Sequence, residues 1–217
     1  MQRCGINLAT GVPDSLLKEV CAELEVGMPV GGHQIAPNEG AAVGLAIGHF
    51  LATRSPALVY LQNSGLGNIV NPVTSLAAEA IYGIPMVLLV GWRGETEDSG
   101  KQVHDEPQHR LQGLITPAQL DLLRIPYLIL DANSDPEAAI HDAVTQAVER
   151  SQPFALLVRK SAFSGSSAQT HPGLNVELAR EEAINTVLLT LPPEVAVVST
   201  TGMASREVFE TRKRLGD

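Results

Sequence analysis

Short apolar runs alternate with longer amphipathic segments along this chain, and no other feature restricts its fold as strongly. The runs at 57–61 and 86–90 are apolar or aromatic at every position, which is typical of strands buried on both faces of a parallel sheet. Strand and helix repetition at this spacing predicts right-handed βαβ units. We therefore predict an α/β fold, a parallel sheet of about six strands with helices on both faces. The predicted strands are 6–10, a weak one at 33–36, 57–61, 86–90, 127–130 and 155–158.

The helical segments and a change of composition suggest two unequal domains. Helices are predicted at 14–25, 39–52, 68–82, 117–123 and 136–151. A stretch rich in Ser, Gly and Pro at 161–176 reads as a linker between a domain at 1–160 and a short one at 177–217. The short part is predicted to hold a helix at 176–191, a strand at 195–199 and a last helix at 205–214. Roughly forty residues are too few to bury a core of their own.

Charge and hydropathy exclude several classes of protein. The chain has 24 acidic and 15 basic residues, a net charge of −9, which argues against a nucleic-acid partner. Its 44% hydrophobic content is too high for a disordered chain. The longest apolar runs fall short of the roughly 20 residues of a membrane-spanning helix. We therefore expect a soluble, cytoplasmic protein without a membrane partner.

Polar and glycine-rich clusters follow four of the predicted strands. They occupy residues 11–15, 37–40, 62–68 and 91–95. Ligands of open parallel sheets bind at the carboxyl ends of the strands, so the four clusters together predict a binding crevice. The alternative for any single cluster is that its Gly, Asn, Ser and Pro residues only form turns and helix caps.

Glu39 is the most informative single residue. It begins a predicted helix that is apolar on nearly all sides, so a carboxylate stands at the mouth of a buried helix. One interpretation is a functional carboxylate in an apolar setting. The other is that Asn38 caps the helix and Glu39 only complements the helix dipole.

The polar segment 92–113 is long for a loop in a compact domain. Such loops are usually functional lids or disordered. His104 and His109 suggest a metal site at first sight, but Pro107 prevents a helical pair of histidine ligands. We therefore predict no metal ligands in this chain.

Taken together, these motifs resemble the phosphonopyruvate decarboxylases, a family of thiamine-diphosphate-dependent decarboxylases with the sulfopyruvate decarboxylases as near relatives. The resemblance runs from about residue 5 to the end of the chain. The motifs that carry it are Thr10-Gly-Val-Pro-Asp-Ser-Leu-Leu17, Asn38-Glu-Gly40, Tyr60-Leu-Gln-Asn-Ser-Gly-Leu-Gly-Asn68, Asn71-Pro-Val-Thr-Ser-Leu76, Gly91-Trp-Arg-Gly-Glu95, Asp105-Glu-Pro-Gln-His109 and Gly113-Leu-Ile-Thr-Pro117.

The resemblance implies that residues 1–160 form a pyrimidine-binding domain for thiamine diphosphate. Glu39 matches the family's catalytic glutamate, which hydrogen-bonds N1′ of the aminopyrimidine ring and promotes loss of the C2 proton. The reaction implied is decarboxylation of a 2-keto acid, 3-phosphonopyruvate to phosphonoacetaldehyde and CO2. The other implied cofactor contacts are Val12, Pro13, Asp14, Gln62, Asn63 and Ser64, and the implied substrate contacts are Ser15, Asn63, Arg93, His104 and His109.

The chain departs from the family in one important motif. The family binds the diphosphate and Mg²⁺ through a Gly-Asp-Gly motif in a second domain, and these 217 residues contain no such motif. Residues 177–217 resemble only the beginning of that domain. We therefore expect either a homo-oligomer, dimeric or higher, or a separate chain that carries the diphosphate domain. Two alternatives stay open: a sulfopyruvate decarboxylase subunit, for which we expect a chain ending near residue 160, and a non-catalytic binding remnant that still dimerises.

Overall fold

A computed structural model describes residues 4–163, 178–192, 194–200 and 202–216. The chain divides into two compact units, residues 1–168 and residues 169–217. Most of the predicted linker, 161–176, lies outside the described residues, so the predicted domain limits stay a prediction. Within the described residues, no helix has the length and the apolar character needed to cross a bilayer.

The first unit is built on a six-stranded sheet in which every pairing is parallel, as predicted. The strands are β1 Ala9–Gly11, β2 His33–Ile35, β3 Ala57–Gln62, β4 Met86–Gly91, β5 Tyr127–Leu130 and β6 Pro153–Val158. The first strand lies slightly later in the chain than the predicted 6–10, and the weak second strand is present. The order across the sheet is β2-β1-β3-β4-β6-β5.

Helices cover both faces of this sheet. Alternate residues of β3 enter different cores, with Val59 and Leu61 on one side and Leu58 and Tyr60 on the other. This double burial explains why β3 is apolar without alternation. The helices of this unit are α1 Lys18–Gly27, α2 Glu39–Thr53, α3 Leu66–Pro72, α4 Pro107–Leu122 and α5 Pro136–Arg150. The first core is covered by α2, α3 and α4, and the second by α1 and α5.

The order of the strands reverses direction at β1. The chain passes from β1 to the edge strand β2 and then returns to β3 on the opposite side of β1. The segments that leave β1 and β3 at their carboxyl ends therefore diverge to opposite sides. A reversal of this kind is where ligands of open α/β sheets bind.

The predicted helix at 68–82 is wrong in its second half. The α-helix α3 ends at Pro72 and continues as one wider π-helical turn, Val73–Ala77. Pro72 lacks the N–H that an α-helix needs, and a wider turn is one way the chain accommodates that gap. Ala78 is extended, so the residues up to Tyr82 form turns.

The predicted loop at 92–113 is confirmed for residues 92–106, which form turns and irregular structure with one isolated bridge, and is wrong for residues 107–113. Its end belongs to α4, which begins at Pro107, a residue well suited to the first turn of a helix. Its middle forms a small hairpin in which Thr96 and Gln102 face each other. The backbone N–H of Val103 donates to the carbonyl of Glu95 at 2.9 Å and closes this hairpin.

The described residues of the second unit form two helices, α6 Arg180–Thr190 and α7 Met203–Leu215. Arg180 of α6 forms a bidentate ion pair with Glu207 of α7, which connects the two helices. The predicted strand at 195–199 is wrong, because residues 194–200 have no strand structure and the described part of this unit offers no other strand for pairing. An apolar run does not form a β-strand unless an adjacent strand is available for backbone hydrogen bonds.

We predict that Gly113→Ala lowers the free energy of unfolding by about 1–3 kcal/mol, the cost of overpacking a core. A Cβ at Gly113 would overlap the backbone carbonyl of Gly94, which lies in a left-handed turn and has little freedom to move. The control is Gly48→Ala in α2, where a Cβ meets no atom within 4 Å. Urea unfolding of both variants checks the prediction, and equal stability of the two would contradict it.

Candidate functional site

A hydrogen bond between Asp14 and Gln62 connects the chain segments at the carboxyl ends of β1 and β3. Asp14 is 6% exposed, and its Oδ1 accepts a hydrogen bond from Gln62 Nε2 at 2.6 Å. Its Oδ2 accepts from the backbone N–H of Leu16 at 3.1 Å and thereby caps the short 3₁₀ turn Ser15–Leu17. Ser64 donates to Gln62 Oε1 at 2.8 Å. A buried carboxylate and an amide thus form one polar network at the predicted crevice.

A glycine at the end of β4 makes room for Asp14. A Cβ at Gly91 would overlap the Asp14 carboxylate. The carboxyl end of β4, which lies beside β3 in the sheet, therefore also faces this network. Three of the four polar clusters that the sequence singles out thus meet at one edge of the sheet.

Glu39 is half-buried at the first turn of α2. Asn38 caps the helix, because its Oδ1 accepts from the N–H of Ala41 at 2.8 Å. The Glu39 carboxylate accepts a hydrogen bond at Oε2 from Asn68 Nδ2, at 2.6 Å. Its Oε1 lies against Gly65, where a Cβ would overlap the carboxylate. Glu39 therefore faces the segment that follows β3. The same stretch of chain binds Asp14 through the side chain of Gln62, the last residue of β3.

Asn63 belongs to this same segment. It is completely buried, and its Nδ2 donates to the carbonyl of Arg93 and to Thr116 Oγ1, both at 2.9 Å. Its Oδ1 accepts from the N–H of Arg93 at 3.3 Å. Gln112 donates to the Asn63 carbonyl at 2.9 Å. These bonds use the Asn63 amide internally, so a ligand contact from this side chain would have to replace one of them.

Arg93 and Asp105 form a bidentate ion pair in which Arg93 Nε and Nη2 donate at 2.8 and 2.6 Å. The hydrogen bonds from Arg93 hold the pKa of Asp105 well below its usual range, so its carboxylate is ionised at neutral pH. The same pair raises the pKa of Arg93. Arg93 Nη1 donates to Ser15 Oγ at 3.2 Å, which connects this ion pair to the end of β1.

The two predicted histidines are placed differently. His109 is half-buried in the first turn of α4, and burial, followed by the positive charge of Arg93, lowers the pKa of its imidazole. His104 is exposed and makes no hydrogen bond or ion pair with the described part of the chain. Val12 is half-buried and donates its N–H to the carbonyl of Tyr60 at 3.1 Å, and Pro13 is exposed beside it.

Motif spacing predicts no role for four residues of this region: Gly65, Asn68, Asp105 and Thr116. Each of them meets a partner that is distant in the sequence; Asn68 and Glu39, for example, are 29 positions apart. Their motifs were visible, but motif spacing does not reveal which side chains meet. Among the residues that the structure describes, no group of three His, Cys, Asp or Glu side chains could hold a metal ion.

Comparison with known proteins supplies a context for this geometry. The family model described as "Thiamine pyrophosphate enzyme, N-terminal TPP binding domain" matches residues 1–120. The phosphonopyruvate decarboxylases of Streptomyces viridochromogenes and Streptomyces hygroscopicus are 32% and 30% identical to this chain, each over 94% of it. The sulfopyruvate decarboxylase subunit alpha of Methanococcus maripaludis is 28% identical over 71% of this chain and 86% of its own length.

The match to the phosphonopyruvate decarboxylases is partial on their side. The chain spans about half of their length, 53% of each. Among solved structures, benzoylformate decarboxylase from Polynucleobacter necessarius aligns with a TM-score of 0.55 and 17% identity. That alignment covers 93% of this chain and 31% of the other. At this identity the likeness concerns the fold alone.

Proposed function

The chain belongs to the thiamine pyrophosphate enzymes, and from that premise we propose that it supplies the pyrimidine-binding half of a decarboxylase acting on a 2-keto acid. The observation that carries the proposal is Glu39, held at the crevice by Asn68 with its second oxygen against a glycine. A carboxylate fixed in this way can accept a hydrogen bond from a ring nitrogen of a ligand and hold a proton there.

The residues around Glu39 fit the pyrimidine half of thiamine diphosphate. Gly65 leaves room for the Glu39 carboxylate at the crevice, and the loop of Val12, Pro13 and Asp14 follows the adjacent strand β1. We propose that Glu39 bonds N1′ of the aminopyrimidine and that this loop, with Gln62 and Ser64, lines the ring. The bound cofactor supplies the electron sink for loss of CO2. The Mg²⁺ that holds its diphosphate is proposed to have its ligands on the diphosphate-binding domain.

For the substrate we propose 3-phosphonopyruvate, which would yield phosphonoacetaldehyde and CO2. The identities of 32% and 30% to two phosphonopyruvate decarboxylases support this choice. Ser15, Arg93 and His109 are proposed to face the substrate, and His104 is proposed to join them. Arg93 donates to Ser15 Oγ in the turn that follows β1. The second candidate is 3-sulfopyruvate, favoured by the match that covers 86% of a sulfopyruvate decarboxylase alpha subunit.

The test is reconstitution with a diphosphate-binding domain taken from a phosphonopyruvate decarboxylase. We expect the mixture, with thiamine diphosphate and Mg²⁺, to release CO2 from one of the two keto acids. Phosphonopyruvate and sulfopyruvate are assayed in parallel, so the preferred one identifies the substrate. A correctly assembled mixture that releases no CO2 from either would contradict the proposal.

We also predict that these 217 residues alone bind thiamine diphosphate with a Kd weaker than micromolar. The reason is that most of the binding energy of the cofactor should come from contacts of its diphosphate and Mg²⁺, and the sequence lacks the Gly-Asp-Gly motif for them. Calorimetry of the purified chain with Mg²⁺ measures this affinity. Micromolar or tighter binding would contradict the prediction.

A further inference from the structure

Asp105 has no role in the function proposed above, yet it makes more hydrogen bonds than any other side chain near the crevice. Its two oxygens accept from Arg93 Nε and Nη2. They also accept from the backbone N–H groups of Gly94 at 2.9 Å and Glu106 at 2.8 Å. Asp105 therefore holds both the guanidinium of Arg93 and the turn that follows it.

The backbone of Arg93 is fixed from the other side. The buried Asn63 bonds both its N–H and its carbonyl, and Asn63 is itself held by Thr116 of α4. With the backbone fixed by Asn63 and the side-chain end fixed by Asp105, the third guanidinium nitrogen has a defined direction. That nitrogen, Nη1, donates to Ser15 Oγ.

This arrangement sets the polarity of the Ser15 hydroxyl. A serine hydroxyl has one hydrogen to donate and can also accept. Because Ser15 Oγ accepts from Arg93, a guanidinium that has no acceptor of its own, the hydroxyl hydrogen is left to donate elsewhere. Ser15 is exposed and begins the 3₁₀ turn that follows β1.

We propose that Asp105 is a positioning residue that acts through Arg93 to make Ser15 a hydrogen-bond donor for an oxyanion of the substrate. The ion pair contributes little net charge, because the Asp105 carboxylate offsets the guanidinium. The site therefore recognises the oxyanion through directed donors rather than through excess positive charge. This inference rests on the proposed function for its substrate, but its geometry is testable on the chain itself.

The decisive variant is Asp105→Asn. Asn keeps the size and one oxygen for the backbone N–H groups, but its amide nitrogen cannot accept from Arg93. The matched control is Asp98→Asn, which removes a second carboxylate from the same segment. Asp98 pairs with Arg159 at 2.6 Å and is 92% exposed. Both variants change the net charge by one unit, so a general charge effect would appear in both.

Two measurements on the purified chain test the geometry. In ¹⁵N-labelled protein, the Nε–H signal of Arg93, assigned with Arg93→Lys, should exchange with water at least about tenfold faster in Asp105→Asn, the scale of one lost charge-assisted hydrogen bond. Asp98→Asn should leave that signal unchanged. Methylphosphonate and methanesulfonate, titrated separately as oxyanion probes, should perturb the signals of Ser15 and Arg93 in the wild-type chain.

The coupling between the residues distinguishes positioning from a general structural role. Asp105→Asn and Ser15→Ala should each weaken binding of the preferred probe about tenfold, and the double variant should be no weaker than either single one. Effects that multiply, an unchanged affinity in Asp105→Asn, or no binding of either probe to the wild-type chain would each overturn the inference. Coupled probe binding without CO2 release in the reconstitution would contradict the proposed function and leave this inference standing.

Discussion

Replacing Glu39 with Gln should slow exchange of the C2 proton of thiamine diphosphate by at least about 10²-fold in the reconstituted enzyme, the usual scale for loss of an acid–base group. Gln keeps the size of the side chain and can still bond N1′ and Asn68. It carries no negative charge to hold a proton at that ring nitrogen. Turnover should fall by at least the same factor, and deuterium exchange followed by NMR measures the effect directly.

The C2 exchange rate and the stability of the same variant, measured together, separate the two interpretations of Glu39. Asn38 keeps its cap on α2 in the variant, so only the interaction of the charge with the helix dipole is lost. That loss should amount to about a few tenths of a kcal/mol in the free energy of unfolding. If Glu39 were only a dipole partner, C2 exchange would stay near the wild-type rate while this small loss of stability remained.

The sheet could be predicted from the sequence because burial on both faces leaves a simple pattern. The runs at 57–61 and 86–90 have no polar position, and both are central strands whose alternate residues enter different cores. The failures have equally specific causes. Pro107 was interpreted as a loop residue although it begins α4, and the apolar run at 195–199 lacks a strand beside it.

The candidate site could be predicted only in part. Glu39 and Asp14 stand directly after predicted strands, where topology alone places them near a crevice. Asp105 and Asn68 act through side-chain contacts with residues 12 and 29 positions away. Which donor meets which acceptor depends on how the segments pack, and spacing in the sequence does not contain that information.

Replacing Gly65 with Ala should reduce C2 exchange and turnover by about 10²-fold, the scale expected when a catalytic group is misplaced by about 1 Å. The backbone of Gly65 has φ −75° and ψ −10°, which alanine adopts without strain. The overlap of the new Cβ is with the Glu39 carboxylate, the mobile end of a side chain. The carboxylate should therefore move while the fold stays intact, with little change in the free energy of unfolding.

The second glycine of the same Gly-Leu-Gly sequence supplies the control. A Cβ at Gly67 meets no atom within 4 Å, so Gly67→Ala should keep the wild-type rate. The double variant Gly65→Ala with Glu39→Gln should exchange C2 no more slowly than Glu39→Gln alone, because both changes act on one group. Losses that multiply would mean that Gly65 contributes by another route, such as direct contact with the pyrimidine. An unaffected Gly65→Ala enzyme would mean that the Glu39 carboxylate works in a position different from the one it occupies beside this glycine.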